Sequence, residues 1–249
     1  MKTKYALRVR IKKEIVCEFL PPVKRSRRVV ILCGGMPSHP GKRDLLFFLS
    51  KKGYWVFDLR YRGSWESGGS FLKKSPHEDV LDVVRQLPSG LRDLWSGRMY
   101  KIKKPEVFVV GISFGGPAAI LASKSPKIKK SVVFSPVVDW DIRAKKNSVD
   151  WMGKFIKSAF GRVYRFKDKD WKKLKNGKFY SPVFEIKNLD AKKIFIIHAK
   201  DDRVVYSRPV EKFARELGCK FLLLKKGGHL SSSDIMKPEF WRKVSVFLK

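Results

Sequence analysis

Residues 107–123 read VFVVGISFGGPAAILAS. The run VFVV is typical of a strand buried on both faces, and the alanine-rich half is typical of a helix. Ser113 stands between them, with Gly111 and Gly115 two residues away on either side. A serine at a sharp strand-to-helix turn requires such glycines, because Cβ atoms there would collide with the neighbouring strand and helix. Pro117 fits the prediction, since proline is tolerated in the first turn of a helix.

Five further apolar runs of similar length predict buried strands elsewhere in the chain. They are VVILC (29–33), WVFDL (55–59), VVF (132–134), IFIIHA (194–199) and FLLL (221–224). Amphipathic segments of helical length lie between most of the runs, at residues 42–52, 76–87, 114–123, 207–217 and 233–248. This alternation predicts an α/β fold with a mostly parallel, doubly wound sheet and helices on both faces.

Two segments depart from the alternation. Between residues 5 and 19, apolar residues recur at every second position, which predicts an antiparallel hairpin ending at Pro21 and Pro22. Residues 139–182 contain no buried-strand run, and their aromatic residues are spaced as in amphipathic helices. The sequence therefore predicts a core domain of residues 1–138 and 183–249, with a small helical cap insertion at 139–182.

The composition suits one folded, very basic domain. The chain has 249 residues, 43% of them hydrophobic, and its 56 Lys and Arg against 23 Asp and Glu give a formal net charge of +33. The basic residues are dispersed over many connections, and no nucleic-acid-binding motif accompanies them. We therefore expect a solvated, lysine-rich surface with weak, salt-sensitive attraction to polyanions and no specific nucleic-acid partner.

Targeting and cofactor signals are sparse. No apolar stretch reaches the roughly 18 residues of a membrane span, and the N-terminal residues lack the apolar segment of a signal peptide, so we expect a cytoplasmic protein. Cys17, Cys33 and Cys219 lie far apart in apolar runs, as is typical of reduced, buried thiols. The four histidines form no metal-ligand pattern, and the sequence predicts neither a metal nor another cofactor. It gives no indication of the oligomeric state.

The partners that a nucleophilic serine needs follow two other predicted strands. Such a serine requires a base and a carboxylate that orients the base. Asp201 and Asp202 lie just beyond IFIIHA, and His229 lies just beyond FLLL. The carboxyl ends of parallel strands meet at one edge of the sheet, where open α/β sheets form their sites. Asp139, which follows VVF, is a rival acid.

Other polar residues near these motifs have structural interpretations. His198 lies inside a predicted buried strand, and we expect a core histidine with a hydrogen-bond partner. His39 and His77 are interpreted as loop residues. Arg60 and Arg62 are expected to brace their loop through hydrogen bonds and ion pairs.

Together these motifs resemble those of the α/β-hydrolase family, over residues 29–249. The G-x-S-x-G arrangement, a D-x-x-V pattern that begins at Asp202, and a Gly-Gly-His before the last helix occur in the family's order. The D-x-x-V pattern favours Asp202 over Asp201 as the acid. Residues 53–71, GYWVFDLRYRGSWESGGSF, are similar to a strand and loop of the dienelactone hydrolase and prolyl oligopeptidase branches, with Trp65 in place of a glycine. The resemblance implies a serine hydrolase.

The oxyanion hole is expected to consist of two backbone N–H groups. One is the amide of Phe114, the residue after the nucleophile, and the other comes from the loop after VVILC. Family members often begin this loop with His-Gly, whereas this chain has Cys-Gly-Gly-Met at residues 33–36. Both Gly35 and Met36 are candidates for the second donor, and Met36 is favoured.

We predict a serine carboxylester hydrolase that uses Ser113, His229 and Asp202. It would cleave small to medium acyl esters through an acyl-enzyme intermediate, with lactones and thioesters as further substrates. Because neutral histidine must accept the proton, activity is expected to fall as the pH drops through about 6 to 7. The cap aromatics Trp140, Trp151, Phe155 and Phe160 either line an apolar substrate pocket or only attach the cap to the sheet.

Two alternative functions remain open at this point. The loop at residues 62–69 is compatible with an aminopeptidase or acyl-peptide hydrolase. The basic surface is compatible with a non-catalytic protein of hydrolase fold that binds polyanions.

Overall fold

The computed structural model describes residues 5–141 and 148–249. Most of the strands within this part join one eight-stranded sheet, in the order β1-β2-β4-β3-β7-β8-β9-β10, and β5 pairs with β6 alone. The strands are β1 (Leu7–Ile11), β2 (Ile15–Leu20), β3 (Arg28–Cys33), β4 (Trp55–Arg60), β5 (Leu91–Arg92), β6 (Met99–Tyr100), β7 (Glu106–Ile112), β8 (Ile128–Phe134), β9 (Ile194–Ala199) and β10 (Lys220–Leu224).

The sheet is mostly parallel, as the apolar runs predict. Strands β4, β3, β7, β8, β9 and β10 pair in parallel. The N-terminal hairpin is confirmed, because β1 pairs antiparallel with β2 and β2 pairs antiparallel with β4. The strand ends that precede Gly34, Ser113 and Asp202 therefore point to the same edge of the sheet.

Helices cover both faces. They are α1 (Arg43–Lys51), α2 (Pro76–Gln86), α3 (Gly115–Ala122), α4 (Val149–Phe160), α5 (Asp168–Lys172), α6 (Ser207–Leu217) and α7 (Pro238–Phe247). Apolar side chains of α2, α3 and α6 pack into the core on one face, and those of α1 and α7 pack into the core on the other. Burial of these two apolar surfaces is the main stabilisation of a doubly wound fold.

Two predicted elements differ from the structure in detail. The run FLLL forms β10 as predicted, but its residues are half-exposed, because β10 is an edge strand with one neighbour. The predicted helix at 233–248 is divided into a 3₁₀ turn (Ser232–Met236) and α7, since Pro238 supplies no backbone N–H to continue a helix through that point.

The insertion between β8 and β9 contains α4, α5 and short 3₁₀ turns. Residues 142–147 of the predicted cap lie outside the described part of the chain, as do residues 1–4 at the N-terminus. None of the described helices has the length and apolar character required to cross a membrane. Cys17, Cys33 and Cys219 are free thiols, and Cys219 is only half-buried.

Candidate active site

Ser113 occupies a strained turn directly after β7. Its φ angle is +50°, in the left-handed region that residues other than glycine rarely adopt. Backbone hydrogen bonds hold the turn: the Ser113 amide donates to the carbonyl of Phe134 at 3.0 Å, and the Ser113 carbonyl accepts from the amides of Gly116 and Val137 at 3.0 and 3.2 Å. Because the backbone fixes the turn, the hydroxyl is not needed for it.

The flanking glycines let the turn pack against β3 and α3. A Cβ atom at Gly115 would collide with the backbone carbonyl of Cys33, and one at Gly111 would lie only 2.8 Å from the Cβ atom of Ala119. The G-x-S-x-G spacing is therefore a steric requirement in this chain, as the sequence predicts.

Replacement of Gly115 by alanine is expected to lower the free energy of unfolding by about 3 kcal/mol, because the added methyl group must push α3 away from β3. The matched control is Gly68→Ala, since the nearest atom to its added Cβ would be Glu14 Cα at 3.6 Å, an ordinary contact. Denaturant unfolding measures both variants. Equal stabilities of the two would contradict this steric account.

Asp202 and His229 lie within hydrogen-bond distance of each other, as expected of an acid that orients a base. His229 Nδ1 lies 2.8 Å from Asp202 Oδ2. The other carboxylate oxygen, Oδ1, accepts from the amides of Val204 and Val205 at 2.8 and 2.9 Å. Burial by itself would raise the pKa of Asp202, but the hydrogen bonds from His229 and from the Val205 and Val204 amides hold the pKa below its usual value. Asp202 is therefore ionised at neutral pH.

The rival acids have other partners. Asp201 Oδ1 accepts from the amide of Gly228 at 2.9 Å, which fixes the loop before His229. Asp139 accepts from the amide of Asp141 at 3.0 Å, and burial raises its pKa. Of the three predicted carboxylates, Asp202 is thus the one that contacts the His229 imidazole.

His198 is a core residue, as predicted. It also lies next to Asp202, which the sequence does not indicate. Its side chain is fully buried in β9, and its Nε2 atom lies 2.9 Å from the Val205 carbonyl and 3.5 Å from Asp202 Oδ2. Burial lowers the pKa of His198, so the ring is neutral and carries its proton on Nε2 when it bonds to Val205. Through the Val205 carbonyl, this ring holds the loop that contains the D-x-x-V pattern.

The other residues with a structural interpretation are placed as expected, except His77, which is not a loop residue: α2 begins one residue earlier, at Pro76, and includes it. His39 packs its ring against Trp65, with centroids 5.8 Å apart. His77 contacts the Ser75 hydroxyl at 2.7 Å, and burial lowers its pKa to about 4. Arg60 pairs with Glu18 at 2.9 Å. The Arg62 guanidinium pairs with Glu14, Asp79 and Asp82, which joins its loop to β1–β2 and α2.

Several of the predicted site residues line one cavity, which has a volume of about 390 Å³. Ser113 and His229 both line it, together with Gly35 and Met36 from the loop after β3. A Cβ atom on Gly35 would lie 3.5 Å from the Ser113 Cβ atom, so this loop passes directly beside the serine. The cavity therefore contains the nucleophile, base and loop amides that the sequence predicts at one edge of the sheet.

The two predicted oxyanion-hole donors belong to the residue after Ser113 and to the loop after β3. Phe114 precedes α3 immediately, and Met36 lies in the loop beside Ser113. The N–H groups of Met36 and Phe114 have no acceptor among the backbone hydrogen bonds of loops and turns in the described chain. The carbonyl of Phe114 accepts from the Tyr180 hydroxyl at 2.8 Å, which fixes the following peptide group, between Phe114 and Gly115, from the insertion side.

Two of the four predicted substrate-binding aromatics line the cavity, and two do not. Trp151 and Phe155 of α4 lie on its wall, with their rings stacked at 5.4 Å. Trp140 is instead completely buried, where its Nε1 donates to the Tyr180 carbonyl at 3.2 Å and its ring packs against Phe114. Phe160 packs against Phe155 and is not part of the cavity wall. Trp140 thus attaches the insertion to the core, the alternative role that the sequence left open.

Several lining residues were missed in the sequence. Met152, Val204 and Leu230 extend the apolar wall, and Lys42 adds a charged group. Met152 lies one helical turn from Phe155, and this spacing could have identified it in the sequence as a residue on the same helix face. Lys42 had no distinguishing signal, because it is one of 56 basic residues. Among the residues that the structure describes, no group of three or more His, Cys, Asp or Glu side chains is arranged to hold a metal ion.

Comparison with known proteins gives one family match. A model of the prolyl oligopeptidase family matches residues 43–248. Comparison with curated protein sequences finds no significant match.

Solved structures similar to this chain include esterases and a peptidase. An esterase of Pyrococcus furiosus is 20% identical, with a TM-score of 0.69 over 98% of this chain and 89% of that chain. A thermophilic esterase of Thermogutta terrifontis with butyrate bound is 14% identical, with a TM-score of 0.65 over 97% and 93%. The acylaminoacyl peptidase of Pyrococcus horikoshii is 18% identical, with a TM-score of 0.68 over 98% of this chain and 40% of that chain. These likenesses show a shared α/β-hydrolase fold.

Proposed function

The chain belongs to the prolyl oligopeptidase family of α/β-hydrolases, and from this premise and the site geometry we propose that it is a serine carboxylester hydrolase. The observation that carries the proposal is the 2.8 Å contact between His229 Nδ1 and Asp202 Oδ2, beside a cavity that Ser113 and His229 both line. An ionised Asp202 keeps the proton on Nδ1, which leaves Nε2 as the basic nitrogen. This is the tautomer that a general base requires.

The reaction follows from these roles. Ser113 Oγ attacks the ester carbonyl carbon while its proton passes to His229 Nε2, and the oxyanion that forms accepts hydrogen bonds from the amides of Phe114 and Met36. Gly35 is the alternative donor from the same loop. The intermediate collapses when His229 gives the proton to the departing alcohol. A water molecule, deprotonated by His229, then cleaves the acyl-enzyme and restores Ser113.

The cavity supports small to medium acyl groups. A volume of about 390 Å³ lies at the lower end of the usual range for ligand pockets. Trp151, Met152 and Phe155, all from α4, supply apolar wall on the side of the insertion. We accordingly assign residues 139–182 the role of a cap over a core of residues 1–138 and 183–249. Lactones and thioesters of similar size are substrates for the same chemistry.

Replacement of Trp151 by alanine is expected to lower kcat/KM for 4-nitrophenyl hexanoate by about 10-fold, since the longer acyl chain loses an apolar contact. The acetate ester does not reach this wall and is expected to be nearly unaffected. The control is Trp95→Ala, because Trp95 is also exposed, at 64%, and does not line the cavity. An unchanged ratio of hexanoate to acetate activity in Trp151→Ala would contradict the proposed acyl site.

The family and the acylaminoacyl peptidase structure favour a second candidate, a peptidase that removes acylated or free N-terminal residues. Within the described lining of the cavity there is a lysine and no carboxylate, so nothing pairs with the α-ammonium group of a free N-terminus. A panel of 4-nitrophenyl esters, acyl-aminoacyl anilides and aminoacyl anilides distinguishes the candidates. Because a serine peptidase also cleaves activated esters, cleavage of the anilides decides between the candidates. We expect ester turnover without measurable cleavage of either anilide, and efficient cleavage of an anilide would favour the peptidase.

A further inference from the structure

Lys42 places a cation in an otherwise apolar and neutral part of the candidate active site. Apart from His229, it is the one ionisable residue among the described residues that line the cavity. We propose that Lys42 is a specificity residue that selects esters carrying a carboxylate on the acyl group. This inference rests on the proposed esterase function and names its substrate class.

The ammonium and Ser113 lie beside neighbouring glycines of the loop after β3. A Cβ atom on Gly34 would be 3.0 Å from Lys42 Nζ, and a Cβ atom on Gly35 would be 3.5 Å from the Ser113 Cβ atom. The cation and the nucleophile therefore flank consecutive glycines, whose Cα atoms are ~3.8 Å apart.

A hydroxyl accompanies the ammonium. Ser38 Oγ would lie 3.2 Å from the same Cβ position on Gly34, and Ser38 also lines the cavity. The ammonium and the hydroxyl thus lie beside the same glycine, and Lys42 and Ser38 both line the cavity as donors that a substrate carboxylate can use. Because Asp58 already balances part of the charge of this single lysine, the single negative charge of a carboxylate costs less beside it than the double charge of a phosphate.

The ion pair of Lys42 leaves it available to a substrate. Its Nζ atom is 3.5 Å from Asp58 Oδ1, a long contact, and its side chain is 17% exposed. Asp58 is buried in β4 and does not line the cavity. Asp58 therefore holds the lysine in place from the protein side, and this contact uses one of the three N–H donors of an ammonium group. The net charge of +33 adds long-range attraction for anionic substrates.

The test compares two substrates of nearly equal size. The first is 4-nitrophenyl hydrogen adipate, which carries a carboxylate, and the second is 4-nitrophenyl 6-methylheptanoate, in which an isopropyl group replaces it. We expect the native enzyme to have the higher kcat/KM for the adipate, mainly through a lower KM. In Lys42→Met, kcat/KM for the adipate is expected to fall by about 30-fold, as for a lost hydrogen bond to a charged group, with little change for the neutral ester.

Three variants separate specificity from folding and from net charge. Asp58→Asn removes the partner and keeps the ammonium, so the adipate preference is expected to persist. Lys42→Met/Asp58→Asn leaves no unpaired buried carboxylate, and it is expected to fold stably without the preference. Lys51→Met removes one exposed positive charge from α1, the helix that Lys42 immediately precedes, and the preference is expected to remain.

The proposal is overturned if the native enzyme shows no adipate preference, or if Lys42→Met lowers turnover of both esters equally. A second readout is independent of turnover. Calorimetric binding of monomethyl adipate to Ser113→Ala is expected to weaken about 30-fold when Lys42→Met is added. Carboxylate binding without any ester hydrolysis would refute the esterase proposal alone, whereas hydrolysis with equal binding by both proteins would refute the role of Lys42 alone.

Discussion

Replacement of Ser113 by alanine is expected to lower kcat for 4-nitrophenyl esters by about 10⁴-fold or more, because the variant has no atom that can form the acyl-enzyme. The residual rate would come from the oxyanion hole and from substrate binding. Steady-state kinetics with the hexanoate ester measures the loss.

The fold is expected to survive this change. The turn at Ser113 is held by its backbone amide and carbonyl, so removal of the hydroxyl is expected to shift the melting temperature by less than about 2 °C. The unchanged melting temperature serves as the control for the kinetic loss. Retention of most of the activity by a folded Ser113→Ala protein would refute the assignment of the nucleophile.

Replacement of Asp202 by asparagine is expected to lower kcat by about 10³- to 10⁴-fold. The carboxylate accepts from His229 Nδ1 at 2.8 Å and from two backbone amides. An asparagine amide that keeps the backbone contacts through its oxygen turns its NH₂ group toward the imidazole. The ring then places its proton on Nε2 and can no longer accept one from Ser113.

The matched control for Asp202 is its neighbour. Asp201→Asn removes the same charge from the same loop and alters only the hydrogen bond from the Gly228 amide. We expect a much smaller loss of kcat in this variant. Equal losses in Asp201→Asn and Asp202→Asn would mean that the charge of the loop, and not a specific contact with His229, determines the activity.

The fold could be predicted from the sequence because its signals are local and repeated. Each buried parallel strand is a continuous apolar run bounded by polar residues, and IFIIHA coincides with β9. The turn at Ser113 is encoded by steric demands on Gly111 and Gly115 that no other residue type meets. The positions of Asp202 and His229 were likewise predictable, because each lies in the loop after a strand whose carboxyl end is at the site edge.

What could not be predicted depends on contacts between distant segments. Trp140 and Trp151 belong to the same insertion and have the same composition signal, yet one is buried against Phe114 and the other lies on the cavity wall. Whether each tryptophan is buried or lines the cavity depends on how the insertion packs on the core. The half-exposure of β10 depends on its place at the sheet edge. Lys42 lies beside Gly34 and Ser38 because of the path of this loop, and no local sequence pattern shows that path.

In the proposed reaction, Ser113 is a nucleophile activated by His229. Labelling with a fluorophosphonate probe, followed by peptide mass mapping, tests it most directly, because the probe forms a covalent bond only with an activated serine in a competent oxyanion hole. We expect stoichiometric labelling of Ser113 that is abolished in Ser113→Ala and strongly slowed in Asp202→Asn. A folded native protein in which Ser113 stays unlabelled, combined with polyanion binding that persists at physiological salt, would contradict the claim and indicate a non-catalytic binding protein.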